Sequence, residues 1–139
     1  MSKAKKKYKG VKYWKTKAWD EFSIFIRKRD TNYLGTECYT CEKYFDIKQT
    51  DAGHFQDGRF KEFLFDERQV HAQCKKCNAK RPFGLDGNKE KYTIRMIKDY
   101  GLEEVETMIA NKVKWGQWKP FELEEIYKKY KGKVKQFES

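Results

Sequence analysis

The chain is 139 residues long, which gives room for one compact core and its ends but not for two full domains. Its apolar fraction of 38% is too small for a large interior, yet 17% aromatic residues exclude a wholly disordered chain. Thirty-two Lys and Arg against 21 Asp and Glu leave a formal charge of +11, which points to a polyanionic partner, nucleic acid first.

Eight lysines and no acid fall in residues 1–17, so most of the net charge sits in this segment. It opens MSKAKKKYKG, without the apolar run of a secretory signal, and no stretch approaches the ~18 apolar residues of a membrane span. The expectation is a soluble cytoplasmic protein with no membrane partner. Tyr8, Tyr13 and Trp14 interrupt the lysines, which suits stacking on bases while Lys5, Lys6, Lys7, Lys9 and Lys12 contact phosphate. A solvated tail that orders on DNA fits the same pattern.

Residues 17–29, KAWDEFSIFIRKR, place Ala18, Phe22, Phe25, Ile26 and Arg29 at helical spacing, with Thr16 as N-cap and Asp30-Thr31-Asn32 as the stop. Residues 37–78 read as short β pieces at 44–47, 52–55 and 60–65, separated by turns such as Asp57-Gly58. After Cys77, NAKRP reads as a short helix limited by Pro82. Asp86-Gly87 is turn material. Residues 89–100 form a second long helix with Tyr92, Met96, Ile97 and Tyr100 on one face, and Gly101 stops it. Another runs from Leu102 to about Lys114 with Val105, Met108 and Ile109 in register. After Pro120, FELEEIYKKY is a final helix with Phe121, Ile126 and Tyr130 apolar among charges. The organisation predicted is a basic arm at 1–17, a core at 18–101 and a C-terminal helical extension at 102–139.

The pairs Cys38-Tyr-Thr-Cys41 and Cys74-Lys-Lys-Cys77 stand 32 residues apart. Each C-x-x-C turn presents two thiolates at one edge, so two of them complete the four-sulfur tetrahedron that zinc prefers. This reading is favoured over an iron–sulfur cluster, a disulfide pair or free thiols. Lys43, Lys75 and Lys76 flank the knuckles and favour thiolates. A site closed by four cysteines holds the fold and does no chemistry itself.

His54 and His71, the chain's two histidines, fall between the knuckles, in a stretch that also carries Asp51 and leads to Asn78. A histidine takes a proton from water near neutral pH, while Asp and Asn oxygens suit Mg²⁺ or Mn²⁺. Together these residues suit metal-assisted phosphodiester cleavage. Lys80 and Arg81, just beyond Asn78, are candidates for phosphate contact.

Knuckle, strand with His54, knuckle and Asn78 in that order resemble the zinc-containing HNH group of ββα-metal nucleases. More narrowly, KAWDEFSIFIRKRD, CYTC, DAGHF, FDERQVHAQCKKCN and KDYG resemble the phage NinG (Rap) recombination endonuclease family, over about residues 17–101. The resemblance implies an α+β fold: a small zinc-stabilised, treble-clef ββα-metal core flanked by helices. It implies His54 as general base and Asn78 as a ligand of the catalytic ion. Gln69 falls where the HNH pattern's middle Asn braces the metal loop, a departure that keeps the amide but lengthens its reach. Gly53 stands where many such nucleases carry Asp, which leaves Asp51 as the nearest acid. On an extended strand Asp51 and His54 point to opposite faces, so sharing one ion requires a bend or bulge, which Gly53 permits.

The reading is thus a divalent-metal-dependent DNA endonuclease, with branched recombination intermediates such as Holliday junctions and D-loops supplied by the resemblance. It would act in the host cytoplasm if phage-encoded. The alternative is a non-catalytic zinc-knuckle nucleic-acid-binding module. RNA in place of DNA is a weaker option. Paired cuts in a four-way junction would suit a homodimer, with Trp115, Trp118 and Phe121 as one candidate surface.

Overall fold

The computed structural model describes residues 9–58, 61–111 and 116–138. Lys5, Lys6, Lys7, Tyr8, Phe60 and Trp115 lie outside them. In chain order the elements are α1 (Val11–Arg29), β1 (Thr31–Asn32), β2 (Gly35–Glu37), β3 (Tyr44–Phe45), a 3-10 turn at Ile47–Gln49, β4 (Thr50–His54), α2 (Lys61–Leu64), β5 (Val70–Cys74), α3 (Lys75–Asn78), α4 (Lys89–Tyr100), α5 (Leu102–Ala110) and α6 (Pro120–Gln136). The mixed α+β class is as expected. No helix among the described residues is long and apolar enough to cross a membrane.

Helix α1 begins at Val11, well before the expected Thr16 N-cap; the Thr16 hydroxyl instead donates to the Lys12 carbonyl at 3.0 Å. Lysine is a good helix former, and nothing from 11 to 17 breaks a helix. Trp14 gives this added turn an anchor, its ring 5.7 Å from that of Tyr127 on α6. The buried stripe of α1 is the expected Ala18, Phe22, Phe25 and Ile26.

Strands β4 and β5 pair antiparallel in an unbroken register: Thr50 with Cys74, Asp51 with Gln73, Ala52 with Ala72, Gly53 with His71, His54 with Val70. Alternation therefore sorts the ladder into two faces. Ala52 and Val70 join Phe22, Phe25 and Ile26 of α1 and Tyr130 and Val134 of α6 in one hydrophobic cluster. The opposite face meets a second cluster, Tyr39, Phe55, Tyr92, Met96, Val105 and Met108, where the His71 ring stacks on Tyr39 at 3.7 Å between centroids. A meander of β1, β2 and β3 precedes the ladder. The carbonyl of Ala72 accepts from the Tyr39 amide at 2.8 Å, and its amide donates to the Asp30 carboxylate at 2.8 Å.

Two local expectations change. Residues 61–64 are helical, not extended, and the turn buries the adjacent Phe63 and Leu64. NAKRP does not form a helix: the short helix starts earlier, at Lys75, where the Cys74 sulfur caps it by accepting from the Cys77 amide at 3.5 Å, and Ala79 is already extended. Helix α6 buries Leu123, Tyr130 and Val134 with Ile126 packed beside them, and Phe121, 58% exposed, projects from another side of the helix. Trp118, at the start of this region, packs its ring 5.5 Å from Phe65 within the chain.

Tyr130 links α6 to the rest: its ring lies 4.8 Å from Phe22 and 5.3 Å from Phe25, and its hydroxyl donates to Glu67 at 2.8 Å. Tyr130→Ala should lower unfolding free energy by about 3–4 kcal/mol in urea titrations. Tyr130→Phe, which keeps the ring, should cost about 1 kcal/mol; equal losses would contradict the packing argument.

Candidate functional site

The four cysteines converge. Their sulfurs all lie within 4.8 Å of one another, and Cys38, Cys74 and Cys77 are buried. Each knuckle turns its own amide onto its first sulfur: Cys41 N–H donates to Cys38 and Cys77 N–H to Cys74, both at 3.5 Å. The Asn88 side-chain amide adds a donor to Cys77 at 3.6 Å. Burial pushes the Cys38 thiol up, but the Cys41 amide and the Thr40 hydroxyl outweigh it and bring it down to about 7. Burial, followed by the neighbouring Cys38 and Cys77 sulfurs, pushes Cys74 up to about 12. Four sulfurs packed this tightly cannot all ionise on their own; a divalent cation removes the conflict, and the set could hold a structural metal such as zinc.

At the far end of β4, the His54 ring is half-buried and stacks on Trp19 of α1, 5.0 Å between centroids with planes 18° apart. Its Nε2 lies 3.1 Å from the main-chain oxygen of Leu64. A carbonyl can only accept, so Nε2 carries the proton and Nδ1 keeps its lone pair in the neutral ring. Burial lowers the His54 pKa from its ordinary value, a direction the Leu64 carbonyl opposes and Lys89 assists. The Lys89 ammonium donates to the main-chain oxygen of His54.

On the other face of the ladder, Asp51 accepts from the Asn78 side-chain amide at 3.2 Å and pairs with Lys75. No bulge interrupts β4, so Asp51 and His54 stay on opposite faces, without the bend Gly53 would permit. On the Asp51 side, Asn78 Oδ1 lies 2.9 Å from the position of a β-carbon on Gly53, the residue before His54. The oxygens of Asp51 and Asn78, both partly exposed, fit a hard divalent ion. The buried oxygen of Gln73, which accepts no hydrogen bond among the described residues, faces the same glycine.

The remaining candidates separate by environment. His71 is buried, its Nδ1 3.1 Å from the Arg29 guanidinium and its Nε2 2.9 Å from the Arg68 carbonyl. Both ring nitrogens are used, and burial with Arg29 brings its pKa down to about 4, so it acts as a neutral packing group with no lone pair for a metal. Gln69 does span the loop between the strands, accepting from Gln56 at 2.8 Å and donating to Asp66 at 3.2 Å. Lys9, Lys12, Lys80 and Arg81 are exposed, and Arg81 pairs with Asp86 at 3.3 Å.

Sequence reasoning did not single out Trp19, Leu64, Gln73 or Lys89. Trp19 follows the three-residue spacing Trp19, Phe22, Phe25 on α1, which was a readable signal; the Leu64 carbonyl carried none.

A family model described as bacteriophage lambda NinG protein matches residues 1–139. The chain belongs to the NinG family. It is 32% identical over 124 residues to the NinG protein of Escherichia phage 933W, covering 88% of this chain and 57% of that protein. The NinG proteins of Salmonella phage P22 and Escherichia phage lambda are 31% and 30% identical over the same length of 124 residues, covering 88% of this chain and 57% and 56% of theirs. The chain thus spans little more than half the length of these NinG relatives. No solved structure gives a significant match.

Metal analysis should find one zinc per chain after purification without chelator. Cys38→Ser should lower that content and the thermal midpoint together, and a strong chelator should reproduce both losses in the unaltered protein.

Proposed function

We propose that this member of the NinG family is a divalent-metal-dependent DNA endonuclease of the HNH, ββα-metal type, on a treble-clef core closed by zinc at Cys38, Cys41, Cys74 and Cys77. One observation supports it above the others. In a strand–strand–helix unit, a half-buried His54 is held neutral with Nδ1 unprotonated, next to the glycine that the Asn78 oxygen faces.

In this reading Nδ1 takes the proton from a water as its oxygen forms a bond to phosphorus, and the bond from phosphorus to the leaving oxygen breaks. The Leu64 carbonyl fixes the ring tautomer, and Trp19 fixes its plane. The imidazolium formed keeps its Nε2 hydrogen bond. Asp51 and Asn78 would hold Mg²⁺ or Mn²⁺, which when bound supplies charge stabilisation at the phosphate and the departing oxygen. Gln69 braces the loop from which the Leu64 carbonyl reaches His54. Lys9, Lys12, Lys80 and Arg81 would track the phosphate backbone, giving an affinity that falls steeply with salt. The family resemblance adds branched recombination intermediates as the substrate class, and two cuts in a four-way junction would come from a pair of chains.

Labelled four-way junction, D-loop, linear duplex and single-stranded DNA, incubated with Mg²⁺, Mn²⁺ or EDTA, test the reading directly. Metal-dependent nicking near the branch is expected, reduced at least ~100-fold in His54→Ala with binding kept. Tight binding without cleavage under either ion would replace the enzyme by a zinc-knuckle binding module. A preference for RNA would correct the substrate class.

Because burial lowers the His54 pKa, the base stays unprotonated to lower pH than an ordinary histidine. Single-turnover cleavage should therefore be flat through neutrality and lose rate only as pH falls below about 6.5. An acid limb centred above that value would contradict the assignment.

A further inference from the structure

Gln73 pairs with Asp51 across the ladder and is fully buried. Its Nε2 donates to the Thr40 hydroxyl at 3.1 Å and to the Gly87 carbonyl at 2.8 Å. These bonds set the amide's orientation, because turning it over would press its oxygen against the Gly87 oxygen. The Oε1 atom, however, accepts no hydrogen bond from any described residue. An acceptor buried in this way costs about 1–3 kcal/mol, so its position calls for a physical cause.

That cause lies over Gly53. A β-carbon at this residue would overlap Gln73 Oε1, and Asn78 Oδ1 lies 2.9 Å from the same point. Asn78 is oriented too, since its nitrogen donates to the Asp51 carboxylate at 3.2 Å and its oxygen is left on the other side. The three heavy atoms nearest that point are the two amide oxygens and the carbon bearing one of them, with no donor among them. Two amide oxygens turned toward one point repel unless a positive charge sits between them.

We propose that Gln73 Oε1 is an oxygen ligand of a divalent cation shared with Asn78, and that the Asp51 carboxylate, which pairs with Lys75 when the ion is absent, joins them as the third donor when the ion binds. It fills the space that a side chain at position 53 would have taken. The inference rests on the metal-dependent reading above for Asp51 and Asn78, and it adds a ligand from β5. It also explains Gly53: any larger residue there would displace the Gln73 oxygen. One carboxylate and two neutral amide oxygens form a hard donor set suited to Mg²⁺ or Mn²⁺ rather than zinc.

The test is metal binding by zinc-loaded protein without DNA. In the unaltered chain, Mg²⁺ titration followed by carbon-detected NMR should move the side-chain carbonyl carbons of Gln73 and Asn78 together, with one midpoint. Movement at Asn78 with Gln73 still would overturn the assignment, and this measurement needs no variant to fold. Mn²⁺ titration followed by EPR should show at least tenfold weaker binding in Gln73→Met with zinc content retained. Unchanged Mn²⁺ affinity in that variant would also overturn it. The two readings fail separately: Gln73-dependent Mn²⁺ binding without DNA cleavage removes the nuclease but supports the site. His54-dependent cleavage with the Gln73 carbon unmoved does the reverse.

Discussion

The arrangement depends on four sulfur atoms held within 4.8 Å of one another. They bring the turn at 38–41 to the end of β5 and the start of α3, closing a loop that contains Asp51, His54, Gln69, His71 and Gln73, and Asn78 directly follows the last cysteine. In a chain with a modest apolar fraction this clamp does what a larger core would do elsewhere. A metal held there would couple to the fold, because the Cys74 thiol, pushed up by burial and by its neighbouring sulfurs, ionises readily only beside a cation. Asn88, donating to Cys77, carries the same constraint to the start of α4.

From that clamp the two-stranded ladder distributes its residues by alternation. One face feeds Ala52 and Val70 into the core built by α1 and α6, and on this side His54 meets Trp19. The other carries Asp51, Gln73 and His71 toward Asn78, Tyr39 and Tyr92. The same alternation that buries the ladder therefore separates the candidate base from the candidate ion ligands. Gly53 lies between them, and Tyr92 pins its carbonyl with a buried hydroxyl at 2.7 Å. Arg29 and Asp30 complete the frame: the guanidinium reaches the Glu67 and Val70 carbonyls at 2.7 and 2.9 Å, and the carboxylate takes the Ala72 amide. The end of α1 thus holds the strand on which Gln73 sits.

Much of this was legible without coordinates. The two C-x-x-C pairs, the stripe of α1, the bounds of α4 and the opposition of Asp51 and His54 all follow from spacing, because helix and strand periods and knuckle geometry are local. What was misread was weakly signalled in the local sequence. The start of α1 rests on Trp14 meeting Tyr127, more than a hundred residues away. Residues 61–64 carry too few side chains to tell a helical turn from a strand.

The sequence by itself determined the cysteine clamp, the polarised charge, the helix faces and a short set of residues able to bind a hard ion or move a proton. Only the tertiary structure decided among them. His71 became a buried neutral ring because Arg29 and the Arg68 carbonyl, brought in from α1 and the loop before β5, occupy both its nitrogens. His54 kept a lone pair because the Leu64 carbonyl binds one nitrogen only. Gln73, unremarkable in the string QCKKCN, was left with a buried, unpartnered oxygen over Gly53. Residue type sets what a group can do, but its protonation and hydrogen-bond vacancies are set by neighbours that only folding assembles.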